Sequence, residues 1–243
     1  MNNARKVLIT GSTRGIGLGT AQALADKGFF VYTNSRYEVK SLEGLSSTNW
    51  AHLRFDAEKR NAVVEALKDV AGGDSSLDCL ICAVGSGSIR PVERSEAWEK
   101  NLNLNLISAV NVIEEALHIW SKTLKNILVI SSIAGMKPMT DPPIEYSVAK
   151  AALNQFVKVK ALELAPFGVN INAVLPGNIL FPNSVWGKRI QSNEKETIEY
   201  IANKVPLKRF GKISDVTEMV EFLLKPNSFV TGQLMVTDGG QVL

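Results

Sequence analysis

With 243 residues, 45% of them hydrophobic and 21% charged, the chain is long enough to bury a full core, and no linker or charge block divides it, so a single domain over 1–243 is expected. Its net charge of +3 is small and its cations are scattered, with only a modest cluster at Lys204, Lys208, Arg209 and Lys212, which argues against nucleic acid as a partner. The first apolar run, Val7, Leu8 and Ile9, is too brief for a signal-peptide core and no stretch approaches a membrane span, so a cytoplasmic protein that engages no membrane is expected.

In chain order, the pattern opens with a strand at 6–10, a helix at about 16–27 stopped by Gly28, and a strand at 29–34. Further strands are expected at 51–55, 78–83, 126–131, 169–174 and 233–237, separated by helical periodicity or long loops. Runs such as Ile127-Leu128-Val129-Ile130 are apolar without alternation, as when helices cover both faces of a parallel sheet. The β-α-β rhythm predicts the α/β class, a Rossmann-like doubly wound parallel sheet of about seven strands with helices on both faces. A ligand would bind beyond the carboxyl ends of those strands.

Between the first strand and first helix lies Thr10-Gly11-Ser12-Thr13-Arg14-Gly15-Ile16-Gly17. Backbone N–H groups and the helix dipole there can hold an anionic pyrophosphate, and glycine lets the backbone approach it closely. The spacing is G-x-x-x-G-x-G rather than G-x-G-x-x-G, and taken alone it also suits a plain glycine-rich turn. At the end of the second strand stand Ser35 and Arg36, where an acid would bond ribose hydroxyls and a base would favour a 2′-phosphate. With Arg14 as a second cation, NADP(H) is expected over NAD(H).

Cys79 and Cys82 form a C-x-x-C spacing, but they lie in an apolar strand pattern, where positions three apart face opposite sides. With His52 and His118 far off in sequence, both thiols read as structural and no metal is expected.

Tyr146 and Lys150, four apart at the start of a helical pattern, share one face. A free phenol has a pKa of about 10, and a neighbouring ammonium would lower it toward a usable general acid/base. Y-x-x-x-K also occurs as a surface tyrosine beside a solvated lysine. Here it follows a strand ending Ile130-Ser131-Ser132 and a strand–glycine loop–helix unit, as a hydride-transfer site would require.

From the glycine loop through Tyr146 and Lys150 to Phe229-Val230-Thr231-Gly232-Gln233 and Asp238-Gly239-Gly240, the chain resembles the short-chain dehydrogenase/reductase family over essentially its whole length. The resemblance implies that Tyr146 exchanges a proton with the substrate oxygen and that Lys150 holds the nicotinamide ribose. It further implies that Ser132 orients the carbonyl and that Asn105 supports a proton-relay water. By the same resemblance Asp56 meets the adenine, although it could equally cap a helix near Glu58. Ala83, Val84 and Gly85 border the adenosine half, and Pro176, Gly177 and Ile179 lie beside the nicotinamide amide.

Three departures from the family stand out. Cys82-Ala83-Val84-Gly85 replaces the usual Asn-Asn-Ala-Gly; Phe181 stands where a threonine often meets the cofactor; and the loop holding Pro138, Pro142 and Pro143 is slightly lengthened. A substrate lid is expected at about 180–205, carrying Phe181, Trp186, Lys188, Arg189 and Tyr200. A small carbonyl or alcohol substrate follows, with a 3-oxoacyl thioester reductase and a sugar or polyol dehydrogenase both open, and a non-catalytic NADP(H) sensor as the rival class. Apolar helices at about 102–120 and 145–164 resemble those through which family members pair, implying a homodimer or homotetramer.

Overall fold

The structure, a computed structural model, describes residues 4–46, 48–73, 76–87, 93–226 and 228–243. Strand β1 (Lys6–Thr10) lies between β2 (Phe30–Ser35) and β4 (Cys79–Cys82). Beyond β2 comes β3 (Trp50–Arg54), and beyond β4 come β5 (Asn126–Ile130), β6 (Asn170–Pro176) and β7 (Leu234–Thr237). All pairings in this seven-stranded sheet are parallel and the order is β3-β2-β1-β4-β5-β6-β7, the expected doubly wound arrangement. Chain direction across the sheet reverses between β1 and β4, so the crevice opens above their carboxyl ends.

The unalternating strand runs divide their side chains between two cores. Val7, Ile9, Val31, Ile81 and Leu128 meet Ala21 and Leu24 of α1 (Gly15–Asp26) and Val216, Val220 and Leu223 of α8 (Ile213–Leu223). Leu8, Leu80, Ile127 and Val129 meet the other layer: Val63 and Leu67 of α2 (Arg60–Gly73), Val112 and Ile113 of α4 (Ser108–Trp120), and Leu153 and Val157 of α5 (Ile144–Leu164). Truncating any of these leucines to alanine costs about 2–5 kcal/mol. Cys79 joins the first core and Cys82 the second, both free, and burial pushes each thiol up to about 12. The two thiols thus pack into separate cores, and among the described residues no group of three or more His, Cys, Asp or Glu side chains is placed to hold a metal ion. Among them also no helix is long and apolar enough to cross a membrane.

β1 has the expected ends and the other strand ends differ by a residue or two: β4, β5 and β7 are shorter than the apolar runs, whereas β6 continues to Pro176, which pairs with Thr237. The helix expected over about 102–120 is three segments: α3 (Arg94–Leu102), one π turn (Asn103–Ile107) and α4. Side chains that bond back to the backbone flank that turn, Asn101 Nδ2 donating to the Ala97 carbonyl and Ser108 Oγ to that of Leu104. Such bonds loosen the regular ladder, and π turns concentrate at functional sites.

Candidate active site

The glycine loop is fastened from behind. Ser12 is fully buried: its hydroxyl donates to the Ile9 carbonyl at 2.7 Å and accepts from Asn34 N–H at 2.9 Å. That hydroxyl ties the loop to β2 and faces inward. Gly11, at φ +64°, lies so close to the end of β4 that a Cβ would come within 3.0 Å of the Val84 nitrogen. On Gly17 a Cβ would overlap the Gly11 carbonyl. Helix α1 starts at Gly15 with no side-chain cap from Arg14 and no acidic residue in its first turn. Its N–H groups, the helix dipole, and the backbone of Thr13 and Ile16 therefore face the crevice in an arrangement suited to a pyrophosphate.

At the carboxyl end of β2, Arg36 is exposed, as is Arg14. Ser35 Oγ is engaged with its own turn, donating to the Tyr37 carbonyl at 2.7 Å and accepting from Tyr37 N–H at 3.2 Å. Asp56 Oδ1 accepts from Glu58 N–H at 3.1 Å within the turn that precedes α2, which starts only at Arg60, so it does not cap that helix. Burial, followed by the neighbouring Asp56 charge, raises the Glu58 carboxyl above its usual range, and Arg36 opposes that rise.

The β4 strand end is where the sequence departs from the family. Thr10 Oγ1 accepts from Ala83 N–H at 3.2 Å, bracing the segment across β1 without an asparagine at 82 or 83. Beyond it, Asn105 on the π turn holds Ser86 by both ends: its Oδ1 accepts from Ser86 N–H at 2.9 Å and its Nδ2 donates to the Ser86 carbonyl at 3.2 Å. A Cβ on Gly85 would stand 3.0 Å from both Asn105 Oδ1 and Lys150 Nζ. The missing side chain leaves that point of convergence open to the crevice.

Tyr146 and Lys150 lie one turn apart on α5, which begins after Pro143. Lys150 is buried, donates to the Ile130 carbonyl at the end of β5 at 3.1 Å, and stands 5.9 Å from the Tyr146 ring centroid. Burial holds its ammonium down at about 8, opposed by the Cys82 sulfur. The expectation that Lys150 draws the phenol down is not met in this structure. Burial pushes Tyr146 up, and the hydrogen-bonded Ser132 hydroxyl is the group that draws it back. The cause is placement, since the ammonium sits over the ring and is occupied by a carbonyl. Ser132 also accepts from Ala134 N–H at 3.2 Å, capping a single 3₁₀ turn (Ile133–Gly135). Gly135 lets that turn lie on α5, where a Cβ would come within 2.6 Å of the Ala151 nitrogen.

The segment after β6 closes the crevice on its other side. Gly177 packs on Asp238, and Ile179 is buried and bridges to Gly211. The Phe181 ring leans on the glycine loop, its Cε2 only 2.7 Å from where a Gly15 Cβ would be. Beyond it, Ser184 caps α6 (Val185–Ser192) by accepting from Gly187 N–H at 2.8 Å, and α7 (Glu194–Lys204) follows. Trp186 stacks with Tyr200 and Phe210 at 5.2 and 5.6 Å, with the Arg189 guanidinium 5.0 Å above the Trp186 ring. Thr10, Asn34 and Asn101 take part here, as does Asp141, which accepts from the Tyr200 hydroxyl at 2.6 Å, without having been singled out in the sequence. Only Asn101, four residues before Asn105, offered a spacing that could have revealed it.

A family model described as enoyl-(acyl carrier protein) reductase matches residues 11–241. Glucose 1-dehydrogenase of Gluconobacter oxydans is 28% identical, the match covering 98% of this chain and 92% of that protein. Among solved structures, ElxO with NADP bound superposes with a TM-score of 0.90 at 28% identity, covering 98% and 99% of the two chains. The 3-oxoacyl-[acyl-carrier protein] reductase from Brucella melitensis, in complex with NAD, gives 0.87 at 26% identity over 99% and 98%.

Proposed function

The chain belongs to the short-chain dehydrogenase/reductase family, whose members act on alcohol and carbonyl groups, and from that premise we propose that it interconverts a small-molecule carbonyl and its alcohol with NADP(H) in preference to NAD(H). The observation that carries the reading is the meeting of Asn105, Ser132, Tyr146 and Lys150 around Gly85 and Gly87, beside the uncapped start of α1.

The residues present fit a nicotinamide dinucleotide, since the loop from Gly11 to Gly17 offers N–H groups and no acid, and Gly85 leaves space between Asn105 and Lys150. Ser35, Arg36 and Arg14 would meet the adenosine 2′-phosphate, Asp56 the adenine, and Ala83, Val84 and Gly85 the adenosine side. Lys150 and Tyr146 would hold the nicotinamide ribose, and Pro176, Gly177 and Ile179 its amide. Support for the phosphate is the exposed guanidinium of Arg36 at the end of β2, with no acidic residue at 35 or 36, and the exposed Arg14 in the glycine loop.

When bound, the nicotinamide supplies or accepts the hydride. In reduction, Ser132 donates a hydrogen bond that holds the substrate oxygen, and the Tyr146 hydroxyl gives that oxygen its proton. Because burial keeps the phenol protonated in the ligand-free protein, Tyr146 starts as the acid. In oxidation the same groups run in reverse, the phenolate taking the alcohol proton.

Residues 180–205 are read as the substrate lid, its aromatic underside suited to an apolar cleft. A 3-oxoacyl thioester and a sugar or polyol are the two substrate classes, in line with the activities of the relatives named above. We assign a homodimer or homotetramer, formed through a face of α5 where Val148, Val159 and Leu162 are exposed, the last at 80%.

The test is cofactor absorbance against a panel of carbonyls and alcohols, with Tyr146→Phe beside the natural chain. Turnover lost by at least a thousandfold in the variant, with NADPH still bound, supports the enzyme. Tight NADPH binding with no turnover in the natural chain on any member of the panel favours the sensor.

A further inference from the structure

His52 stands on β3 opposite Thr33 of β2, and both of its ring nitrogens are engaged. Nδ1 lies 2.9 Å from Thr33 Oγ1; Nε2 lies 2.9 Å from the Tyr37 carbonyl and 3.3 Å from Ser35 Oγ. A carbonyl oxygen only accepts, so Nε2 carries the hydrogen, and in the neutral ring Nδ1 accepts from the Thr33 hydroxyl. The Tyr37 carbonyl is thus held twice, by His52 from the neighbouring strand and by the Ser35 hydroxyl from within its own turn.

The residue bracketed by these bonds is Arg36. Packing does not hold the turn, because Tyr37 is 72% exposed and Arg36 is exposed beside it. Hydrogen bonds set its shape, and among the described residues the one from His52 ties its far side to the sheet. An arginine loses rotamer freedom when it grips a phosphate, and a backbone already set in place lowers that cost.

We propose that His52 is a positioning residue for the adenosine end of the dinucleotide: by bonding the Tyr37 carbonyl it holds the Ser35–Arg36–Tyr37 turn with the guanidinium facing a 2′-phosphate, and so sets the preference for NADPH over NADH. This rests on the reading of Arg36 given above. The side chain acts through the turn and touches no ligand itself. Its contribution is therefore specific to the cofactor that carries the phosphate.

Substitutions can copy the two nitrogens separately. Glutamine places an amide N–H near Nε2 and can still reach the Tyr37 carbonyl, whereas asparagine reaches only as far as Nδ1 and Thr33. The experiment titrates NADPH and NADH calorimetrically into the full-length natural chain, Arg36→Ala, His52→Ala, His52→Gln and His52→Asn, with thermal melts of each.

In Arg36→Ala the preference for NADPH should collapse. In His52→Ala and His52→Asn the NADPH dissociation constant should rise about tenfold, roughly 1.4 kcal/mol, while that for NADH stays within about twofold. His52→Gln should stay within about threefold of the natural chain for both. If Arg36→Ala keeps the preference, the cofactor reading fails and this proposal falls with it. If Arg36→Ala loses the preference but the His52 variants keep it, or weaken both cofactors alike, only the role of His52 is overturned. Should His52→Ala not fold, the glutamine and asparagine variants still decide, and equal NADPH to NADH ratios in those two overturn the proposal.

Discussion

Tyr200 on α7 donates its phenolic hydrogen to Asp141 Oδ2 at 2.6 Å, joining the helical segment after β6 to the loop between Ser132 and Tyr146. Burial and the Asp141 carboxylate push the phenol up to about 12, so the latch keeps its proton throughout the working pH range. Replacing Tyr200 with Phe removes the bond and leaves the ring stack with Trp186. Amide exchange across α6 and α7 should then quicken about fivefold to tenfold, while the denaturation midpoint barely moves. Unchanged exchange would show that stacking alone holds these helices.

Lys150 makes stability depend on pH in a definite direction. Its folded value of about 8 lies below the ordinary 10.5, so between those values the unfolded chain binds the extra proton. Stability therefore rises as pH climbs from 8 toward 10.5, by up to about 3 kcal/mol from this one group, and below 8 the full burial cost is present. Denaturant midpoints measured over that range should climb in the natural chain relative to Lys150→Met. Parallel curves for the two proteins would contradict the assignment.

Gly135 is the spacer between Ser132 and α5. Alanine there would drive a methyl group into the Lys150–Ala151 peptide, which belongs to a helix backbone that cannot give way. A loss of about 2 kcal/mol is expected from overpacking. Because the same shift parts Ser132 from Tyr146, kcat should fall by more than tenfold with the cofactor dissociation constant little altered. An active, fully stable Gly135→Ala protein would rule out the spacer role.

The Phe181 ring leans on Gly15 in the loop proposed to cradle the phosphates. Shortening it to Thr removes the ring from Gly15 and adds a hydroxyl, so NADPH should bind about fivefold tighter, near 1 kcal/mol. Some stability is lost with the apolar contacts the ring makes on the α1 side of the sheet. Calorimetric titration checks this, and weaker binding would mean that the ring supports the cofactor.

The sheet could be read from the sequence because every central strand is buried on both faces, which leaves uninterrupted runs such as Ile127 to Ile130. The glycine loop and the Tyr146–Lys150 pair stood out for a related reason, their spacing along one loop or one helix, whereas Ser132 was singled out only by the family resemblance. The π turn at Asn105 was not legible. It depends on Asn101 and Ser108 bonding backward to the chain, and the apolar pattern runs straight through it. Thr10, His52 and Asp141 were invisible as site residues because their partners Ala83, Tyr37 and Tyr200 lie far along the chain. Only the packing of strands and lid brings them together.

The division of the two cysteines between opposite sides of the sheet gives the molecule a built-in pair of opening reporters. Neither sulfur meets solvent, and neither can reach the other to cross-link while the layers are intact. A thiol-reactive dye would label Cys79 only when α1 and α8 lift away, and Cys82 only when α4 and α5 do. The two labelling rates would then record which half of the protein comes apart first.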